Sequence, residues 1–512
     1  MKINQLKAGS LLSYLQMALS VIVGLLYTPI MIRLLGQNEY GLYNTVASTI
    51  SMLSILSLGF NSSYIRYFAK YKHNNDKESI YRLNGLFLSI FIIIGVIAFV
   101  CGIFLSFNLE LVFKQGLTTH EYGIAKILMI LLTVNLSLSF PMSVFSSIIS
   151  AHERYVFLKL LGMMKTVISP LVTMPLLLMG YRSIAMVAVA LIISVITDIA
   201  YFIYVIFVLK NKFIFKKVET GLFKSLFIYT SFLAVNIIVD QINSNMGKFL
   251  LGRYNGTSTV AIYSVGYSLY QYYMMFSTAI SGVFAPRIHK IVNATKQCIN
   301  EQRRQLSELF IKVGRIQFLV LALVATGVIF FGKPFIIFWA GEDYINSYTV
   351  TLLLILSSTI PLIQNIGIEI QRAQNKHKFR SIAYIIMALF NLILTVYLCP
   401  IYGAVGAAVG TALSLILANG FIMNIYYHLK CNIDIILFWK NILSLSKGLV
   451  LPIIVGIITM NSLNFNKIEL LVVGIILYTV IYSISMWCFG MNNYEKELIY
   501  GSVLKILRKK VK

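Results

Sequence analysis

The sequence predicts an all-α membrane protein of about fourteen transmembrane helices, built as two parallel six-helix repeats around a central cavity plus two C-terminal helices. Three observations predict it. The chain is 58% hydrophobic and only 12% charged, with a mean hydropathy of +0.81. A soluble domain is closer to half apolar and a quarter charged, so a surface of this composition needs lipid as its solvent. Many apolar runs reach spanning length, and basic residues alternate between the segments that join them. The two halves also repeat one another at a nearly constant offset.

A span needs about 20 apolar residues to cross about 30 Å of hydrocarbon. Fourteen stretches qualify, at 10–32, 41–64, 83–107, 122–148, 157–179, 184–208, 224–247, 257–286, 314–332, 348–371, 381–400, 403–427, 448–463 and 468–490. The first has no small-residue cleavage site before the run reaches Ile32, and reads as an uncleaved span.

Charge orients the spans. With the N-terminus inside, 34 of the 43 Lys and Arg fall in cytoplasmic segments. Eight lie outside or at outer helix ends (Arg33, Lys114, Lys126, Arg182, Lys248, Arg253, Lys333 and Lys467), and Lys165 lies within span five. That alternation is the positive-inside rule, and an odd error in the span count would scramble it. Both termini are therefore expected in the cytoplasm. The net charge of +25 follows from these dispersed inner loops and points to membrane lipids, not nucleic acid. The clusters Lys210–Lys217 and Arg508–Lys512 read as lipid-headgroup anchors. Cys101, Cys298, Cys399, Cys431 and Cys488 are scattered and never form C-x-x-C, so no disulfide framework, metal site or cofactor is expected.

The repeat shows in three places. Leu34–Gly36 and Gly41–Ser48 reappear as Leu250–Gly252 and Ala261–Ser268, the second parts 220 residues apart. Ala151–Phe157 matches Ala373–Phe379 at offset 222, and Tyr181 matches Tyr402 at 221. Six spans per copy is an even number, so both copies enter the membrane in the same sense, with a cavity between them. The expected organisation is 1–215 and 216–430 as the two six-helix bundles, then 431–512 as two extra helices and a basic tail.

Polar residues at membrane depth normally face a cavity or a partner, because a charge there costs at least about 2.5–3.5 kcal/mol. In span seven, Asn236, Asp240, Asn243, Ser244 and Lys248 recur every three to four residues, which places them on one helical face. They read as a hydrophilic cavity wall, the alternative being helix–helix hydrogen bonding. Lys165 and Asp198 sit at similar depth on successive helices and are expected to form an ion pair, as structural glue or as a proton- or sodium-sensitive switch. Arg66 and Arg287 end spans two and eight at offset 221 and suit an anionic headgroup, with ordinary anchoring as the alternative. Tyr263, Tyr267 and Tyr270 share a face with Gln271 beside them, and suit a sugar surface or plain packing. Glu369 and Arg372, one turn apart, are expected to pair.

All six histidines lie in loops or at helix ends, and no G-x-x-x-x-G-K-[ST] occurs. The longest outer loops, 108–121 and 333–347, leave little room for a catalytic constellation, so an enzyme such as a polysaccharide polymerase is disfavoured.

Leu34 to Tyr43 (LLGQNEYGLY) resembles the L-G-x-x-x-[FY]-G-x-[YF] turn between the first two helices of bacterial polysaccharide flippases. Gly59 through Arg66-Tyr67 is similar to the end of their second helix, Ala151 to Phe157 to their A-x-E-[RK]-[FY] loop, and Tyr402 to Ala408 to their Y-G-x-x-G-A-A turn. The resemblance is to Wzx-type O-antigen and capsule repeat-unit transporters of the multidrug/oligosaccharidyl-lipid/polysaccharide exporter superfamily. It departs at Asn375, where Glu would stand. The resemblance implies movement of an undecaprenyl-pyrophosphate-linked oligosaccharide across the bacterial inner membrane by alternating access, without covalent chemistry. Implied partners are the lipid-linked oligosaccharide, a coupling cation (H+ or Na+), and polysaccharide polymerase and chain-length proteins. A lipid II or sporulation-type flippase and a cation-coupled multidrug antiporter stand as alternatives.

Overall fold

The computed structural model describes residues 5–113, 117–215, 230, 234–295, 298–462, 465, 467–498 and 500–501. Helices dominate, and no strand occurs among the described residues. In order they are α1 (Gln5–Leu35), α2 (Gln37–Met52), α3 (Phe60–His73), α4 (Lys77–Phe107), α5 (Thr119–Ala151), α6 (Tyr155–Leu178), α7 (Arg182–Ile203), α8 (234–241), α9 (Gly247–Tyr254) and α10 (Thr257–Gly282). Then come α11 (Ala285–Ala294), α12 (Ile299–Ala340), α13 (Ser347–Ile363), α14 (Ile366–Ala373), α15 (His377–Leu415), α16 (Met423–Leu429), α17 (Ile435–Leu445), α18 (Val450–Ser462) and α19 (Ile468–Ser485).

Ten helical stretches among the described residues are long and apolar enough to cross a membrane. Their outer faces carry large exposed apolar side chains such as Leu11, Ile393 and Phe489, as lipid contact requires. The difference from fourteen has local causes. The longest stretch, His377–Leu429, contains both expected spans 381–400 and 403–427, parted by a kink at Gly403 (φ 54°, ψ −133°). Expected span 41–64 is broken by left-handed Leu58 and Gly59 between α2 and α3. Span 224–247 lies partly outside the described residues, as do Lys114, Lys216, Lys217 and Arg508–Lys512. Helix α10, at the eighth expected span, is rich in Ser and Tyr and too polar to be among the ten.

By internal contacts the chain forms two compact units, residues 1–264 with 388–410, and residues 265–387 with 411–512. In the first, α4 packs on α5, α1 on α6, and α7 on both α5 and α6. Its core is aromatic, with Phe60, Tyr64, Phe87 and Phe91 meeting edge to face. Residues beyond α7 fold back on α4: Ile214 N–H donates to Tyr81 O at 3.0 Å, and Asn84 Nδ2 donates to Lys212 O at 3.0 Å. In the second unit α12 packs on α13, α17 and α19, around Phe330, Phe331, Tyr478 and Tyr482.

The repeat is written in the backbone. Left-handed residues recur in pairs: Gly36 (φ 77°) with Gly256 (83°), Glu153 (61°) with Asn375 (57°), Arg182 (51°) with Gly403 (54°), and Lys210 (49°) with Asn432 (57°). Their offsets are 220, 222, 221 and 222. Phe157 stacks on Tyr204 at 4.0 Å, and Phe379 on Tyr426 at 4.2 Å, again 222 apart. These corners revise one sequence match: the mate of Gly36 is Gly256, which precedes α10 as Gly36 precedes α2, and not Gly252, which lies inside α9. They also explain Asn375. The position is a left-handed corner in both copies, and asparagine adopts that conformation more readily than glutamate.

Candidate functional site

The polar stretch of span seven is built around an irregular turn. Helix α8 passes through a π-helical turn, Ile242–Met246, before α9 resumes. Such turns place side chains off the regular helical register and are frequent at functional sites. Asn236 and Asp240 precede it and are exposed; Asn243 and Ser244 lie within it, and Lys248 follows, all three half-buried.

Asn243 belongs to a buried network. Its Oδ1 accepts from Asn391 Nδ2 at 3.0 Å, and Thr395 Oγ1 donates to Asn391 Oδ1 at 3.1 Å. Asn391 and Thr395 are 4% and 3% exposed. Gly410 makes room for them: a Cβ there would stand 2.8 Å from Thr395 Oγ1. Sequence reasoning missed Asn391 and Thr395, although two polar residues one turn apart within an apolar span were a signal. Asn245 Nδ2 donates to Gln241 Oε1 at 2.6 Å, a second polar pair on the same turn.

The tyrosines are packed. Tyr263 is 1% exposed, with Gly247 against its phenol, where a Cβ would stand 3.2 Å from the hydroxyl. In the other unit, Tyr267 and Tyr270 are buried edge to face at 5.5 Å, and Gln271 Nε2 donates to the Tyr267 hydroxyl at 2.9 Å. Arg66 on α3 and Arg287 on α11 are both exposed. Lys165 Nζ donates to Ser194 Oγ at 3.1 Å, one turn before Asp198 on α7. The direct ion pair expected between Lys165 and Asp198 is not among those formed by the described residues. Glu369 and Arg372 do pair, at 2.7 Å.

Two further arrangements were not foreseen. Helix α2 crosses the start of α10 at Gly41, where a Cβ would fall 1.8 Å from Thr257 O, so only glycine permits the approach. Ser258 Oγ donates to Gln37 Oε1 at 2.8 Å beside it, and the Arg253 guanidinium donates to Leu111 O. In the second unit, buried Arg315 holds buried Glu495 through two hydrogen bonds of 2.5 and 3.0 Å. The same guanidinium donates to Asn441 O, Ser444 Oγ and Gly490 O, which ties α12 to α17 and to the segment after α19.

The family described as polysaccharide biosynthesis protein matches residues 6–292, more than half of the chain. The chain belongs to this polysaccharide biosynthesis family. Over 194 residues this family member is 28% identical to the probable low-salt glycan biosynthesis flippase Agl15 of Haloferax volcanii, 37% of this chain and 39% of that one. It thus spans about two fifths of the length of the curated relative it matches. In fold it is similar to the lipid II flippase MurJ in an inward closed conformation, with a TM-score of 0.70 at 17% identity over 96% of this chain and 99% of that one. It is also similar to a multidrug resistance MATE family transporter in an inward-facing conformation, with a TM-score of 0.54 at 14% identity over 82% and 99%. At these identities the likeness concerns the fold alone. The matched region of this polysaccharide biosynthesis protein takes in α2, the π-helical turn and the glycine crossing.

Proposed function

We propose that this protein is a flippase, moving an undecaprenyl-pyrophosphate-linked oligosaccharide repeat unit from the inner to the outer leaflet for surface polysaccharide biosynthesis. The observation that carries the reading is a polysaccharide-biosynthesis match joined, in one chain, to whole-length likeness in fold to a lipid II flippase. In this reading the N- and C-termini are cytoplasmic, the membrane is a bacterial inner membrane, and no covalent bond is made or broken. The glycan headgroup crosses a wet cleft while the polyprenyl tail stays in lipid. The span-seven face (Asn236, Asp240, Asn243, Ser244, Lys248) is its proposed lining. The tyrosine face (Tyr263, Tyr267, Tyr270, Gln271), whose rings are buried in this conformation, joins it only as the cleft opens. Arg66 and Arg287 receive the pyrophosphate on entry. Asp240, or the Lys165–Asp198 neighbourhood, couples movement to H+ or Na+. Deleting the gene should abolish a surface polysaccharide while lipid-linked repeat units accumulate on the inner leaflet. Unchanged surface polymer would overturn the reading.

A further inference from the structure

The first unit contains a polar cavity that none of these roles uses. It has a volume of about 520 Å³ and lies at the first turns of α1, between α1, α6, the end of α5 and Tyr201 of α7. Ser10, Ser13, Gln16, Ser150, Lys159 and Tyr201 supply its polar lining. The Lys159 ammonium, the Gln16 amide and the Ser150 hydroxyl can donate hydrogen bonds, while the Ser13 hydroxyl already donates to Gly9 O at 2.8 Å. Among the described residues, no carboxylate lines the cavity. The half-buried Lys159 ammonium has no carboxylate partner among the described residues. A half-buried cation without a carboxylate partner, facing a polar cavity, favours an anion.

Two glycines keep the space. At Gly9 a Cβ would stand 2.6 Å from Tyr155 Cβ, and at Gly162 one would stand 2.6 Å from the Gln16 amide nitrogen. Gly162 therefore lets Gln16 lie back against α6, and any larger residue there drives that amide into the cavity. Two carboxylates stand close by in the chain: Asp198, one turn before Tyr201 with Lys165 as the charge acting on it, and Glu153, in the corner between Ser150 and Tyr155 beside Arg154. Lys159, Lys165 and Arg154 outnumber Asp198 and Glu153 there.

We propose that this cavity is a binding site for a phosphate-bearing anion, with Lys159 taking the charge and the Gln16 amide and Ser150 hydroxyl taking the oxygens. A membrane-lipid headgroup and a soluble phosphate share that chemistry. The site does not depend on which glycan moves, or on whether one moves.

The test uses the full-length protein purified in detergent. Its unfolding temperature is followed as dioleoylphosphatidylglycerol, dioleoylphosphatidylcholine or inorganic phosphate is added, with ionic strength matched by chloride. The anionic lipid or the phosphate should stabilise the protein more than the zwitterionic lipid does. Lys159→Gln should raise the concentration needed about tenfold, the scale of one charge-assisted hydrogen bond, while Lys159→Arg retains the effect. Gly162→Ala should weaken it by filling the cavity. Melting without additive establishes that each variant is folded. Protection by the lipid alone assigns a headgroup; protection by phosphate alone assigns a soluble anion. No protection by either, or equal protection of Lys159→Gln and the unsubstituted protein, overturns the proposal. Since no transport is measured, this result and that of the gene deletion stand or fall separately.

Discussion

Glu39 caps a helix that begins 143 residues later in the chain. Its carboxylate accepts the backbone N–H of Ser183 at 2.9 Å and the Ser183 hydroxyl at 2.5 Å, with Arg182 Nη1 at 3.3 Å. The N-terminus of α7 thereby receives the acceptor that no local side chain supplies. Both Glu39 and Ser183 are buried. Glu39→Ala should therefore lower stability by about 1–3 kcal/mol, because two buried donors lose their acceptor. Ser183→Ala should cost less, since the N–H bond survives. Thermal unfolding in detergent measures both; equal losses would remove the capping argument.

The Arg315–Glu495 pair makes a sharper case. Both side chains are almost fully buried, at 4% and 2%. Glu495→Gln or Arg315→Met alone should destabilise by about 3–5 kcal/mol, because each leaves an uncompensated buried charge. The double variant should recover much of that loss. A double-mutant cycle in which the two losses simply add would show that the pair is not coupled.

At the α2–α10 crossing, Gln37 and Ser258 meet at 2.8 Å. Gln37→Cys with Ser258→Cys should be bridged by a short bifunctional thiol reagent, read as a mobility shift after proteolysis between the two positions. Gly41→Leu should prevent that cross-link, since even a Cβ meets Thr257 O. Cross-linking undiminished by the leucine would mean that the helices meet elsewhere.

One pH dependence is tied to a surface turn. Asp76 caps α4 by accepting Ser79 N–H at 2.9 Å and Ser79 Oγ at 2.6 Å, and these bonds, the side-chain one foremost, hold its carboxyl below the ordinary carboxylate value. A depressed folded-state value means that the cap's contribution is complete above the unfolded carboxylate value and is lost as pH falls through the folded one. Asp76→Asn keeps a good cap and should flatten that acid limb in a melting-temperature profile, without changing stability much at neutral pH. An unaltered acid limb would show that other groups set it.

For transport, Asp240→Asn should reduce flux and remove its dependence on pH or sodium in reconstituted vesicles. Asn391→Ala, which cuts Asn243 from Thr395, should lower flux while leaving any ion dependence in place. If Asp240→Asn preserved both flux and ion dependence, coupling would have to be sought at Lys165 and Asp198.

Much of this architecture is legible from composition and periodicity, because lipid solvation forces long apolar helices and little else. The repeat is legible too, through corner residues whose backbone demands outlast their neighbours. What hydropathy does not reveal is interruption. Leu58–Gly59, Gly403 and the turn at Ile242–Met246 break or re-phase helices inside continuously apolar or mixed sequence, where no window average registers them. The site is legible only in part for the same reason. Asn243 declares itself by helical spacing, but its partner Asn391 lies 148 residues away, and Arg315 finds Glu495 across 180. Pairings over such separations are fixed by packing, which a single sequence does not display.

The two copies keep a common corner but equip it differently. Where the first sets Glu39 against Ser183 and Arg182, the second sets a Thr259 methyl 3.3 Å from where a Cβ on Gly403 would lie. Prising the first rim apart strips a carboxylate of its donors; prising the second merely wets a methyl group. The two matching corners are thus unequal in cohesion, and separating the second would cost less than separating the first.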